Sequence, residues 1–196
     1  MSEKKMIATR DGFGKEIVEL GKENPNILVV DIDIGKSCKT GEFRKELPGQ
    51  YINVGIAEQN GAGVAAGLAT CGKIPFVVTY AVFGSLRMRE MIRQEICYPN
   101  LNVKIACSHG GVTPANDGAS RQAIEDMGVL RTIPNMTVTS CPRTTTPPAS
   151  SSVRPPRFTA PCICALPVTP FPRSTTRMWS SPSARRIRSG TVRTLL

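Results

Sequence analysis

Histidine is almost missing from this sequence. His109 is the single one, and none of the seven cysteines stands in a C-x-x-C pair. That argues against a structural zinc site, which draws on both residue types at fixed spacing. The irregular cysteine spacing fits a reducing compartment better than a disulfide framework. No stretch is apolar for long enough to cross a bilayer. The N-terminal Met1-Ser-Glu-Lys-Lys5 lacks the apolar run of a secretory signal. The expectation is a cytoplasmic protein with no membrane contact. Acidic residues are missing from the end of the chain: all 15 lie at or before Asp126, and every lysine lies at or before Lys104.

That asymmetry explains the net charge of +10. Residues 1–138 hold 16 basic and 15 acidic residues, whereas residues 139–196 hold nine arginines and no acid. The whole-chain charge resembles a nucleic-acid signal, but it belongs to a tail joined to a nearly neutral domain. The chain divides into a domain over 1–138 and an Arg/Pro/Ser/Thr-rich tail over 139–196. The tail has 10 prolines, 19 serines and threonines and one glycine among its 58 residues. It shows neither helical nor strand period, and by itself it is expected to be disordered.

Within 1–138 helices and strands alternate. Phe13, Ile17 and Leu20 share one helical face between Arg10 and Lys22. Ile27–Ile34 is a buried type of strand, and Thr40–Leu47 is a short helix stopped by Pro48-Gly49. Tyr51–Val54 predicts a strand, Ala57–Ala69 a helix of small residues, and Ile74–Val82 a strand in which Pro75 fits only the start. Ser85–Cys97, the strand Asn102–Ser108, the helix Ala119–Thr132 and a strand from Met136 complete the series. The pattern predicts an α/β fold, a parallel sheet with helices on both faces. Ligands of such sheets sit outside the carboxyl ends of the strands. Asp31, Asp33, Glu58, Tyr80, Phe83 and His109 all lie at or just past those ends.

Each of these residues has an ordinary reading. Glu58 suits a helix N-terminus, Tyr80 and Phe83 suit a core, Asp33 and Ser37 suit a turn, and His109 suits a loop. Four segments taken together carry more: Gly55-Ile-Ala-Glu-Gln-Asn60, Thr79-Tyr-Ala-Val-Phe83, His109-Gly-Gly-Val-Thr-Pro-Ala-Asn-Asp117-Gly, and Gln122-Ala-Ile-Glu125 before Ile133-Pro-Asn-Met136. In this order and spacing they resemble the C-terminal half of transketolase, the pyrimidine-binding domain of thiamine diphosphate enzymes, from about Ala8 to Val138.

That resemblance implies that Glu58 hydrogen-bonds the aminopyrimidine of thiamine diphosphate and so promotes loss of the thiazolium C2 proton. It implies that Tyr80 and Phe83 stack on the pyrimidine and that Asp33 lies near the thiazolium. It places Ser37, His109 and Asp117 on the substrate side. Where the family has a histidine four residues after the aspartate, this chain has Arg121. Arginine is a permanent cation and no acceptor, so Arg121 is expected to bind phosphate or to change the acceptor sugar.

No Gly-Asp-Gly with a downstream Asn occurs, so the half that holds Mg²⁺ and the diphosphate is expected on a separate N-terminal transketolase subunit, in a hetero-oligomer. The expected reaction is transfer of a two-carbon ketol unit between sugar phosphates. A 1-deoxyxylulose-phosphate-synthase-like or 2-oxo-acid dehydrogenase β-like subunit is the other enzyme reading. A non-catalytic protein with a nucleic-acid-binding basic tail is the third, although nucleic acid is not the expected partner.

The resemblance stops at Val138, inside a strand, and the tail reads as a shifted reading frame. Codons exist that write Ala160–Pro172 in one frame and GPVYMRFTRNPVP, a strand-like family segment, in the neighbouring frame. On this reading the last strand is missing and the chain by itself is inactive and prone to aggregate.

Overall fold

A computed structural model of the chain describes residues 8–112, 114–140 and 162–166. Most of the expected tail lies outside them. Helix α1 (Thr9–Glu23) buries Phe13, Ile17, Val18 and Leu20 along one stripe. Strand β1 (Ile27–Asp31) is buried at every position, as a strand covered on both faces must be. Short helices α2 (Gly35–Cys38) and α3 (Gly41–Glu46) lead to strand β2 (Tyr51–Asn53). Helix α4 (Glu58–Thr70) and strand β3 (Ile74–Tyr80) follow. Strand β4 is Lys104–Ser108, strand β5 is Thr137–Ser140 and strand β6 is Cys162–Leu166.

The strands form one parallel six-stranded sheet in the order β2-β1-β3-β4-β6-β5. Two apolar layers cover it. Val30, Val77 and Ile105 pack against Ala62 and Ala65 of α4 and against Met88, Ile92 and Ile96. Ile27, Val29, Phe76 and Val78 point the other way, into Phe13 and Ile17 of α1 and Phe43 of α3. The period-two alternation of side chains thus feeds two faces at once. The chain moves from β1 out to β2 and then back across to β3. That reversal opens a crevice between the carboxyl ends of β1 and β3.

Four expectations are corrected. The first strand stops at Asp31, because the Asp31 carboxylate accepts from the Ile34 amide at 2.7 Å and from Thr40 Oγ1 at 2.6 Å. These bonds curl the chain into a turn with Asp33 at φ 57° and start α2. The segment after β3 is a π-helical turn (Phe83–Arg87), the short α5 (Arg89–Met91) and a second π-helical turn (Ile92–Cys97).

The helix expected over Ala119–Thr132 is interrupted. A 3₁₀ turn (Ala119–Arg121) comes first, and α6 spans only Asp126–Arg131. Between them Ala123 exchanges two backbone hydrogen bonds with Gly111, at 2.8 and 3.1 Å, which demand extended backbone.

The last strand is present. Strand β6 (Cys162–Leu166) lies inside the supposed tail and pairs in parallel with both β4 and β5. Cys-Ile-Cys-Ala-Leu is a proline-free apolar run, which is all an interior parallel strand requires. A five-residue run is too short to show a period in a stretch dominated by Pro, Ser and Thr.

Candidate functional site

Glu58 opens α4 and is 4% exposed. The helix N-terminus lends its carboxylate partial positive charge. Its ionic partner among the described residues is Arg87, whose Nη1 lies 3.6 Å from Oε2 and whose side chain is mostly exposed. That separation exceeds hydrogen-bond length. Neither carboxyl oxygen accepts a hydrogen bond from another described residue. The mostly buried carboxyl therefore keeps free acceptor capacity at the site, where a donor from outside the chain could be held.

Arg87 closes the π-helical turn that Phe83 opens. In that turn the Met88 amide reaches the Phe83 carbonyl at 3.1 Å, and such widened turns recur at functional sites. The Phe83 and Tyr80 rings are nearly parallel, with centroids 6.1 Å apart and planes 9° from each other. The His109 ring lies 3.8 Å from the Tyr80 centroid at a 34° tilt. The Arg121 guanidinium carbon stands 5.4 Å from the Phe83 centroid, at cation–π distance. One wall therefore joins Tyr80, Phe83, His109 and Arg121.

His109 is 4% exposed and sits in the left-handed region at φ 61°. Its Nδ1 is 2.6 Å from Ser108 Oγ and its Nε2 is 3.3 Å from Arg10 Nη1. Burial and the adjacent Arg10 charge lower its pKa to about 4, against an opposing pull from Asp117. Asp117 itself is exposed, at the end of a 3₁₀ turn (Ala115–Asp117). Arg10 Nη1 also donates to the Ser37 carbonyl at 3.4 Å, which joins Ser37 to the cluster through its backbone. Arg10 Nε is buried without a hydrogen-bond partner among the described residues, and no carboxylate there pairs with this guanidinium.

Of the residues singled out from sequence, the structure brings Tyr80, Phe83, His109 and Arg121 together, with Ser37 tied in by Arg10 and Asp117 acting on His109 through charge. Glu58 joins them through the Arg87 turn. Asp33 stands apart: it is exposed, accepts from Asn53 Nδ2 at 3.1 Å, and borders a groove of about 640 Å³ with Lys36, Arg44 and Tyr51.

Sequence reasoning missed Arg10, Arg87, Ser108 and Cys38. Arg10 carried a signal, since a cation in the first turn opposes the helix dipole and needs another reason to be there. Nothing marked the others, because contacts to them cross between separate strands and turns.

Sheet order and the crevice at its reversal define a parallel α/β domain, with a mostly buried acid and an aromatic wall at the carboxyl ends of its strands. By its match over residues 5–146 to the family model "Transketolase, pyrimidine binding domain", the chain belongs to that family. It is 49% identical over 129 residues to a Methanocaldococcus jannaschii protein provisionally named a transketolase C-terminal section, covering 66% of this chain and 41% of that one. It is 40% identical over 133 residues to an apulose-4-phosphate transketolase subunit of Phocaeicola vulgatus, covering 68% and 43%.

A solved structure described as a split gene transketolase, inactive beta4 tetramer, superposes with a TM-score of 0.73 at 46% identity, over 86% of this chain and 54% of that one. The chain thus spans about two fifths of the length of these two curated relatives. Among the described residues no helix is long and apolar enough to cross a membrane, and no cluster of three or more His, Cys, Asp or Glu suits a metal ion.

Proposed function

We propose that this chain supplies the pyrimidine half of a split transketolase-type active site that moves a two-carbon ketol unit between sugar phosphates. The carrying observation is Glu58, a buried carboxyl with no hydrogen-bond donor of its own among the described residues. The residues present fit the pyrimidine end of thiamine diphosphate: Glu58 offers an acceptor for a ring N–H, and Tyr80 and Phe83 offer an apolar face. When bound, that group supplies a stabilised carbanion and an electron sink. Glu58 holds the proton at the ring, and the α4 N-terminus steadies the carboxylate.

Arg10, without a carboxylate partner among the described residues, is placed to bind an anionic substrate group, and His109 and Asp117 flank it. Exposed Ile56 (77%) and Leu86 beside Glu58 and Arg87 offer apolar surface for a second chain to cover. In this reading the diphosphate and Mg²⁺ are held by that chain, an N-terminal transketolase subunit, and the assembly is a cytoplasmic hetero-oligomer.

The test mixes this chain with a candidate N-terminal subunit, thiamine diphosphate and Mg²⁺. Ketol transfer from xylulose phosphate is expected, and Glu58→Gln should lower it about 10²- to 10⁴-fold, the range for one acid–base group. Activity with pyruvate but not xylulose phosphate would move the chain to the synthase or dehydrogenase reading. Salt-dependent RNA binding that vanishes without residues 139–196, with no ketol transfer, would favour the non-catalytic one.

We also propose that residues beyond Val138 are translated out of frame. The alternative reading writes VYMRF where β6 has Cys162–Leu166, so four of the five positions in that frame are apolar or aromatic and suit a strand. An intact reading frame around codon 138 would rule this out.

A further inference from the structure

Strand β2 ends on Asn53, the residue in register with Asp31 at the end of β1. The next amide, of Val54, donates to the Asp31 carbonyl at 3.1 Å, so the two strand ends are held together. The backbone then parts into two turns, each passing through the left-handed region: Asp33 at φ 57° after β1 and Gly55 at φ 73° after β2. The Asn53 side chain bridges them. Its Nδ2 donates to Asp33 Oδ1 at 3.1 Å, and its Oδ1 accepts from the Gly55 amide at 2.8 Å. The two ends of the side-chain amide have no choice of place. A carboxylate accepts and a backbone N–H donates, so turning the amide over would set oxygen against oxygen and hydrogen against hydrogen.

From Gly55 the bonds run on to the acid. The Gly55 carbonyl accepts from the Ala57 amide at 2.8 Å, and the Ala57 carbonyl accepts from the Gly61 amide at 2.9 Å in the first turn of α4. Glu58 follows Ala57 directly and opens that helix. We infer that Asn53 is a positioning residue, which clips the Asp33 turn to the Gly55 turn and thereby fixes the entry of α4 and the place of Glu58. It acts through Glu58 and touches no ligand in this role. The clip also gives Asp33 a task, although it stands apart from the aromatic wall: its carboxylate anchors the turn that delivers the acid. Misplacing a catalytic group by about 1 Å costs about 10²-fold in rate. Two hydrogen bonds at an exposed strand end therefore carry more weight than their surroundings suggest. The catalytic consequence rests on the transketolase-type reading; the clip itself does not.

Amide hydrogen exchange of the full chain reads the clip without any cofactor. Asn53→Ala should speed exchange of the Gly55 amide about tenfold, the worth of one hydrogen bond. The Ala57 and Gly61 amides should follow, since they continue the same path. Asn53→Asp, which sets a second carboxylate against that of Asp33, should do the same. Adding Asp33→Asn to it should reverse the effect, because the donor then stands on the other side of the bond. Equal exchange in the wild type and Asn53→Ala would overturn the clip; if Asn53→Ala does not fold, the Asn53→Asp pair decides. In the enzyme assembled with an N-terminal subunit, thiamine diphosphate and Mg²⁺, Asn53→Ala should lower kcat about 10- to 100-fold at constant KM. Made in a Glu58→Gln background, the same change should cost nothing further, since a residue acting through Glu58 has nothing left to position. Equal losses in both backgrounds, or an unchanged kcat, would overturn the positioning role. Absence of ketol transfer in the wild-type mixture would count against the functional reading, and exchange of the three amides would then decide whether Asn53 fixes the entry of α4.

Discussion

Two side chains carry separable consequences at the scale of single residues. His109 is neutral when folded, with a pKa near 4 against an ordinary 6.5. Between those values the unfolded chain binds the proton and the folded chain does not. Its contribution to stability is therefore complete above about pH 6.5 and is lost as the pH falls towards 4, by about 3 kcal/mol at 1.36 kcal/mol per pKa unit. Carboxylates titrate nearby, so the comparison is with His109→Asn, which tolerates the left-handed backbone. Urea midpoints of the variant should fall less steeply across that window than those of the wild type.

Arg121 stands against Phe83, where the resemblance implies a histidine. Arg121→Ala should leave the melting temperature nearly unchanged. In the assembled enzyme it should raise KM for a phosphorylated acceptor about tenfold at constant kcat, the worth of one charge-assisted hydrogen bond. Steady-state kinetics with phosphorylated and unphosphorylated acceptors would separate the two. The residues of this wall were legible because His109, Tyr80, Phe83 and Arg121 come with short local motifs. Arg10 and Ser108 were not, because their meaning lies in contacts with the His109 ring, one of them across 99 positions.

Elements were legible wherever local pattern and burial agree. Helix α1 and strands β1 to β4 fall within a few positions of their expected spans. The reading failed where a tertiary contact overrode the local pattern. The Gly111–Ala123 bridge interrupts one expected helix, and π-helical turns widen another. Close packing of α1 is a second feature that the pattern hides. A Cβ at Gly14 would collide with the Lys39 carbonyl oxygen, whereas nothing lies within 4 Å of one at Gly41. Gly14→Ala should thus destabilise by about 1–3 kcal/mol through overpacking. Gly41→Ala should be neutral or stabilise by up to about 1 kcal/mol. Chemical denaturation of the pair checks the contrast.

At the scale of the whole molecule the decisive element is β6. It lies between β4 and β5 and joins them, so without it β5 has no neighbour in the sheet. Ile163→Pro removes a backbone donor from an interior strand. It should abolish cooperative unfolding and produce aggregates in size-exclusion chromatography, whereas the same change at exposed Ile56 should not. An unchanged melt for Ile163→Pro would show that β6 is dispensable.

By itself the sequence determined the alternation of helices and strands, the two apolar faces, and the motifs around Glu58, Phe83 and His109, because period and short spacing are local properties. Only the tertiary structure decided that Glu58 lacks a hydrogen-bond donor among the described residues, that Arg10 and Ser108 meet the two ring nitrogens of His109, and that a run within an apparently formless tail completes the sheet. Each of these depends on groups distant in the chain meeting at hydrogen-bond range, and no local pattern encodes such a meeting.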